Sequence, residues 1–145
     1  MYVLDTNVVS ELRKVAAGRA DTGVVEWAVS VPTDLTFISA ITIQELEHGV
    51  LLAERRDPAA GQVLRHWIDH DVHDAFGTRV LPVDAVVART AATLHVPDPA
   101  PVADAFIAAT ALVHGMAVVT RNAVDFERFG RLEVVKPWGD SSPGP

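Results

Sequence analysis

The sequence has no cysteine, so it has neither a disulfide framework nor a thiolate zinc site. It also has no apolar run long enough to span a membrane. Asp5 interrupts the first apolar stretch, so this stretch does not have the pattern of a secretory signal. These absences are typical of a soluble protein of the reducing cytoplasm, and we expect that location.

Basic residues are few: the sequence has 12 lysines and arginines and 19 aspartates and glutamates, which gives a formal net charge of −7. Broad, nonspecific phosphate binding needs a basic face, so this balance argues against it. It does not exclude a nucleic-acid substrate, because acids gathered around cations account for part of the excess. Scattered arginines could line a groove, although such residues are more often solvated surface.

A chain of 145 residues, of which 49% are hydrophobic and 21% charged, is long enough to bury its own core. No second domain is indicated. We expect one α/β domain over residues 1–138, with a central parallel sheet flanked by helices, and a disordered tail over residues 139–145.

The first candidate site residue is Asp5, which ends the short apolar, β-prone run of residues 2–4. Asp5-Thr6-Asn7 places three polar side chains together, and apolar residues at helical spacing follow over residues 8–15. The pattern predicts a strand that delivers an Asp at its carboxyl end. In open parallel sheets, ligands bind at such ends.

A second acid, Glu45, follows the predicted strand at residues 35–38 and its polar end, Ser39. Thr42-Ile43-Gln44-Glu45 has the spacing of a capping box, in which the Thr caps the helix and the Glu reaches back. This interpretation places Glu45 in a first helical turn and gives it a complete structural role.

A third acid, Asp104, lies near the start of a helix predicted over residues 102–114. Pro101 can precede or begin a helix, and Gly115 suits the left-handed position that closes one. The helix dipole favours an ionised carboxylate in the first turn, so Asp104 alone is more often a structural residue than a site. Asp125, the fourth acid, follows the next predicted strand and the polar residue Thr120.

All four acids can converge at the carboxyl edge of a parallel sheet. Two carboxylates about 4 Å apart repel by about 4 kcal/mol at an effective dielectric constant of about 20, so the cluster needs protons or cations. Oxygen ligands without Cys or a well-placed His select hard divalent ions, Mg²⁺ or Mn²⁺. The His- and Asp-rich stretch at residues 66–74 lacks a zinc-binding pattern, and we expect it to be solvated surface.

Four motifs, in matching order and spacing from Met1 to about Trp138, together resemble the PIN-domain nucleases. The ending Lys136-Pro137-Trp138 is similar to the branch that contains VapC and FitB-type toxins of bacterial toxin-antitoxin pairs. The four motifs are Leu4-Asp5-Thr6-Asn7, the Glu45 helix after Ser39 and Thr42, Asp104-Ala105-Phe106-Ile107-Ala108-Ala109 closed by Gly115, and Val119-Thr120-Arg121-Asn122 with Asp125-Phe126.

The resemblance implies an Mg²⁺- or Mn²⁺-dependent endoribonuclease, in which a metal-activated water attacks an RNA phosphodiester. By family role, Asp5 and Asp104 bind the metal directly, and Glu45 and Asp125 bind it directly or through water. Asn7 and Thr120 are supporting polar residues.

The resemblance also implies a homodimer and a cognate antitoxin that lies across residues 8–15 and 45–53. We expect an apolar, partly exposed surface on the helices that carry Leu12, Trp27, Leu46 and Val50.

Two other classes of function stay open. A receiver-like phosphoryl-transfer domain also carries acids at strand ends, together with a Thr and a Lys. The only lysines here are Lys14 and Lys136, and neither follows a strand end at a useful place for that chemistry. In the second class, the chain is a catalytically silent interaction module whose acids are structural residues of its helices.

Overall fold

The computed structural model describes residues 1–139. The predicted disordered tail, residues 139–145, lies outside the described residues except for Gly139. Within the described range, no helix is long and apolar enough to cross a membrane.

The strands are β1 (Tyr2–Leu4), β2 (Thr36–Ser39), β3 (Val80–Leu81), β4 (Ala117–Val119) and β5 (Val134–Val135). The helices are α1 (Thr6–Leu12), α2 (Thr22–Ser30), α3 (Ala40–Arg56), α4 (Pro58–His66), α5 (His73–Phe76), α6 (Ala85–Thr93), α7 (Val102–His114) and α8 (Ala123–Glu127), with a 3₁₀ turn at Thr33–Leu35 and a π-helical segment at Trp67–Val72.

The five strands form one parallel sheet in the order β3-β2-β1-β4-β5. Tyr2 pairs with Thr36 on one side and with Ala117 on the other, so β1 lies at the centre. The chain order reverses between β1 and β4. Such a reversal opens a crevice at the carboxyl ends of the two strands, and ligands of parallel α/β proteins bind there. The predicted fold class is therefore confirmed, with its binding edge next to Asp5.

Both faces of the central strands are covered. Val3 and Val118 pack with Ile107 of α7 and Phe126 of α8 in one apolar cluster. Leu4 and Val119 face the opposite cluster, which α1 and α3 cover with buried residues such as Val8, Val9, Leu46 and Val50. Burial on both faces explains why the strands read as continuous apolar runs rather than alternating ones.

The helix carrying Asp104 forms where the sequence predicts it. α7 begins directly after Pro101, and Gly115 closes it in the left-handed conformation at φ +65°. Asp104 is the third residue of this helix. Its backbone setting follows from residues within a few positions of it.

The predicted capping box at residues 42–45 is wrong. Ser39 is the N-cap of α3, and its hydroxyl accepts a hydrogen bond of 3.1 Å from the amide of Ile41. β2 runs straight into α3 without a loop, so the polar residue at the strand end reaches the helix N-terminus before Thr42 can. Glu45 therefore lies in the second turn, where its carboxylate is free of any capping role.

The His- and Asp-rich stretch continues α4 through the π-helical segment into α5. His66 and His70 stack at a ring-centre distance of 4.3 Å, and both side chains are exposed. Asp69, Asp71, His73 and Asp74 are exposed as well. The His and Asp side chains of the stretch are therefore solvated surface, as predicted, whereas Ile68 and Val72 between them are buried.

Candidate active site

A cavity of about 460 Å³ opens at the carboxyl edge of the sheet, beside the point where the strand order reverses. Three of the four predicted acids line it, together with two residues of the strand-to-helix turn after β1 and three cations at its rim. These residues are Asp5, Glu45 and Asp104, then Thr6 and Asn7, then Arg13, Lys14 and Arg121; Ser10, Glu11 and Asn122 complete the wall.

Asp5 is the first residue after β1 and is 5% exposed. Its Oδ1 accepts a hydrogen bond of 2.8 Å from the amide of Thr6 and so caps α1. Its Oδ2 accepts hydrogen bonds from the Thr120 hydroxyl at 2.8 Å and from the Asn7 amide group at 3.2 Å. Three donors from both sides of the strand reversal therefore fix the orientation of this carboxylate.

The surroundings of Asp5 shift its pKa in opposite directions. Burial raises the pKa of Asp5 above its ordinary value, and the nearby Glu45 adds to the rise, whereas the hydrogen bonds from Thr120, Thr6 and Asn7 lower it. The net direction is upward. A nearby cation would favour the ionised form of Asp5 and so lower its pKa.

Glu45 projects from the second turn of α3 and is exposed. Its Oε1 accepts a hydrogen bond of 2.7 Å from the Thr6 hydroxyl, which also lies 3.1 Å from the hydroxyl of Thr42. Thr6 thus joins Asp5, through its amide, to Glu45, through its side chain. The sequence alone did not indicate this role of Thr6, although the residue lies inside the polar triplet that marks the end of β1.

Asp104 enters the same cavity from the first turn of α7 and is half-buried. Its pKa is raised to about 6, chiefly by burial and then by the charges of Asp5, Asp125 and Glu45. These contributions show that the four acids share one electrostatic neighbourhood.

Asp125 lies in the first turn of α8, is exposed, and does not line the cavity. Its charge still raises the pKa of Asp104. The structure therefore brings Asp125 close enough to act electrostatically on the site, but not into its wall.

Asn7 and Thr120 each hydrogen-bond to Asp5 and to the backbone that follows β4. Asn7 donates to Asp5 through Nδ2 and accepts a hydrogen bond of 3.2 Å from the amide of Arg121 through Oδ1. Thr120 donates to Asp5 and accepts a hydrogen bond of 3.0 Å from the amide of Asn122. Each residue therefore connects the carboxylate on β1 to the chain that follows β4.

The donor set consists of carboxylate oxygens, which suits a hard divalent cation. No three His, Asp or Glu side chains among residues 1–139 stand close enough together to hold an ion by themselves. Mg²⁺ commonly takes one or two protein carboxylates and fills its other positions with water and substrate phosphates. An open cavity with Asp5 fixed and other acids around it fits that mode of binding.

The rim of the cavity is basic, although the protein as a whole is acidic. Arg13, Lys14 and Arg121 stand around the acids. Lys14 pairs with Glu11 at 3.0 Å, and Glu11 also accepts a hydrogen bond of 2.9 Å from the amide of Asp21. These contacts lower the pKa of Glu11. The cavity wall thus combines carboxylates with basic side chains.

A second cavity of about 440 Å³ is mainly apolar and lies on the other side of α1. Leu12, Val15, Trp27 and Trp67 are among its lining residues, and Arg13 lines both cavities. Leu12 and Trp27 thus occupy the predicted apolar surface. Leu46 and Val50 do not, because their side chains are buried in the cluster between α3 and the sheet.

Comparison with known proteins agrees with this architecture. The PIN domain pattern matches residues 2–132. The VapC ribonuclease Y4jK of Sinorhizobium fredii is 36% identical over 143 residues, covering 95% of this chain and 98% of the relative. A chain of the FitAcB crystal structure from Neisseria gonorrhoeae matches with a TM-score of 0.83 and 32% identity, covering 95% of this chain and 99% of that one.

A chain of a toxin-antitoxin complex from Klebsiella pneumoniae matches with a TM-score of 0.66 and 25% identity, covering 95% of this chain and 98% of that one. The family pattern spans most of the chain and includes all four acids. The chain belongs to the PIN domain family.

Proposed function

We propose that the protein is a metal-dependent endoribonuclease and the toxin of a toxin-antitoxin pair. The observation that carries the proposal is the acidic cavity, in which Asp5 is held by three donors beside Asp104, whose pKa is raised. The similarity to a VapC ribonuclease over nearly the whole chain supports the choice of RNA as substrate.

Asp5 and Asp104 are the residues that would hold the cation directly, with Glu45 and Asp125 acting directly or through water. A bound Mg²⁺ or Mn²⁺ supplies a water of lowered pKa and neutralises charge on the phosphate oxygens. Metal binding requires an ionised Asp104. Since its pKa is about 6 without a cation, metal affinity should fall below that pH.

Other residues of the chain orient the acids and contact the RNA. Thr120, Asn7 and the Thr6 amide hold Asp5 in one orientation, and the Thr6 hydroxyl directs Glu45. The rim cations face the negative phosphates of the RNA. Hydrolysis adds water across one P–O bond, so the cavity must hold a water molecule and the phosphodiester side by side, and it is large and open enough to do so.

We assign the apolar cavity to the antitoxin. It presents Leu12, Val15 and Trp27 on the surface, and exposed apolar area of this kind is typical of a protein interface. The structural similarity to a toxin-antitoxin complex supports a partner chain. We also propose that the protein acts as a homodimer in the cytoplasm, where its RNA substrates and its partner are made.

The nuclease proposal is tested with purified protein and a mixed RNA pool. We expect cleavage with Mg²⁺ or Mn²⁺ and none in excess chelator, and we expect Asp5→Ala and Asp104→Ala to abolish it. Sequencing the ends of the products identifies the cleaved bond. Undiminished cutting in chelator contradicts a metal-dependent nuclease, and stable partner binding without any cleavage supports a silent interaction module.

The partner proposal is tested with an Asp introduced into the apolar cavity. Val15 lines this cavity and is 43% exposed, so Val15→Asp should weaken capture of a co-expressed antitoxin without affecting RNA cleavage. Val29→Asp is the matched control, because Val29 is 82% exposed and lies outside the cavity lining. Equal capture by the parent and both variants would contradict the assignment.

A further inference from the structure

Arg121 stands at the rim of the acidic cavity with its charge available to a ligand. Its amide donates to Asn7, which fixes its backbone beside Asp5. Lys14, on the same rim, already pairs with Glu11. Within residues 1–139, the guanidinium of Arg121 forms no ion pair; it lies over the indole of Trp138, with Cζ 5.6 Å from the ring centre.

This position requires an explanation, because the cavity beside Arg121 contains several carboxylates. A long, mobile cation would be expected to turn toward those charges and pair with them. An aromatic face attracts a guanidinium and keeps its planar N–H edge free for other acceptors. Trp138 therefore offers Arg121 a stable position in the cavity wall in which its guanidinium does not pair with the acids.

The indole of Trp138 is itself held from two sides. Its ring is half-buried and packs against the apolar cluster that contains Leu4 and Val8. The chain around it lies directly on the start of α2 at Gly23. A Cβ at Gly23 would overlap the carbonyl oxygen of Pro137 and would lie 2.9 Å from the amide nitrogen of Gly139. The indole of Trp138 is thus held in place by packing on both sides.

We propose that Trp138 is a positioning residue, which holds Arg121 so that its guanidinium binds an RNA phosphate next to the cleaved bond. The inference rests on the proposed nuclease function. A guanidinium binds phosphate through two parallel hydrogen bonds, and stacking reduces the conformational freedom that it loses on binding. Trp138 then acts on substrate binding, through Arg121, and not on the bond-breaking step.

The test uses a short single-stranded RNA that the parent cleaves, with kcat and KM measured at several salt concentrations. Arg121→Gln should raise KM by about tenfold, as expected for one charged hydrogen-bonding contact, and should leave kcat within about twofold. The slope of log KM against log salt should fall by about 0.7, because one phosphate contact on a single strand is lost.

Trp138→Leu should reproduce both changes, although residue 138 does not touch the RNA. Trp138→Phe should restore most of the affinity, since it keeps an aromatic face. The double variant Arg121→Gln/Trp138→Leu should be no worse than Arg121→Gln alone, because both changes remove the same interaction. If Trp138→Leu does not fold, Trp138→Met, which is apolar but has no ring, takes its place.

Arg128 and Phe129 provide a matched control pair. The guanidinium of Arg128 lies over the Phe129 ring at 5.7 Å, but it donates to the carbonyl oxygens of Pro99 and Asp98 and does not line the acidic cavity. Arg128→Gln and Phe129→Leu should leave KM and its salt dependence unchanged.

Two results would overturn the proposal: effects of Arg121→Gln and Trp138→Leu that multiply in the double variant, or a loss in kcat at unchanged KM. RNA binding followed by fluorescence anisotropy in chelator separates this proposal from the nuclease function. A parent that binds RNA but never cleaves it refutes the nuclease function. A parent that cleaves RNA, with an Arg121→Gln variant that binds it equally well, refutes this inference alone.

Discussion

Thr120 donates a hydrogen bond of 2.8 Å to Oδ2 of Asp5 and so joins two residues that are 115 positions apart in the chain. Both follow central strands, Asp5 after β1 and Thr120 after β4, and both are buried. The pairing of Leu4 with Val119 brings them side by side. Sheet register thus sets the orientation of the most buried acid in the cavity.

We predict that Thr120→Val, which keeps the side-chain shape, will cost about 1 to 3 kcal/mol of stability, because a buried carboxylate oxygen loses a donor. Loss of an orienting partner of a metal ligand typically lowers activity by about 10- to 100-fold, and we expect a loss in that range. Urea unfolding and RNA cleavage measure the two effects.

Thr110→Val is the control for Thr120→Val. The Thr110 hydroxyl is also buried but donates within α7, to the carbonyl of Phe106, so this variant should cut RNA at the parent rate.

The stability of the metal-free protein should fall as pH rises from about 4.5 to about 6. The pKa of Asp104 is about 6 in the folded protein against an ordinary value of 3.8, so the folded state binds more protons than the unfolded state in this window. Asp5, whose pKa is also raised, acts in the same direction. Glu11 acts oppositely, but below pH 4.5, since its pKa is lowered.

Asp104→Asn tests the contribution of Asp104 to this dependence. Denaturant unfolding in chelator should show a smaller decline between pH 4.5 and 6, with a stability equal to or above the parent at pH 7. A variant whose decline matches that of the parent would show that the pKa of Asp104 is not raised in the folded protein.

Saturating Mn²⁺ should make the parent more stable than the Asp104→Asn variant. A ligand at a hundred times its dissociation constant adds about 2.7 kcal/mol, which corresponds to a melting-point increase of about 5 to 10 °C for a domain of this size. Asp104→Asn should gain much less. His70→Ala is the control and should gain as much as the parent. If His70→Ala alone loses the increase, the ion binds at the exposed histidines of residues 66–74.

Glu45→Gln should leave stability almost unchanged and should abolish cleavage. The Gln carbonyl oxygen can still accept the hydrogen bond from Thr6, so the local structure persists while the charge is lost. Glu47→Gln, on the same helix, is the control: Glu47 pairs with Arg65 at the surface, so its loss should cost little stability and no activity. A Glu45→Gln variant that cuts at the parent rate would show that Glu45 has only a structural role.

The sequence by itself determined the fold class, the family and the local setting of two acids. An apolar run that ends in Asp5 marks a strand end, and Pro101 with Gly115 delimits the helix of Asp104, because strand propensity and helix boundaries depend on residues a few positions apart. The predicted PIN domain is confirmed. The same local reasoning failed at α3, where the sequence predicted Thr42 as the cap, whereas the strand end residue Ser39 caps the helix.

Only the tertiary structure decided how these acids act together. The bond from Thr120 to Asp5, the bond from Thr6 to Glu45 and the stack of Arg121 on Trp138 each join residues from separate elements. The position of Asp125 outside the cavity and the burial that raises the pKa of Asp104 also depend on how helices pack on the sheet. Local patterns carry no information on these distances, because they are set by strand order and side-chain packing across the whole domain.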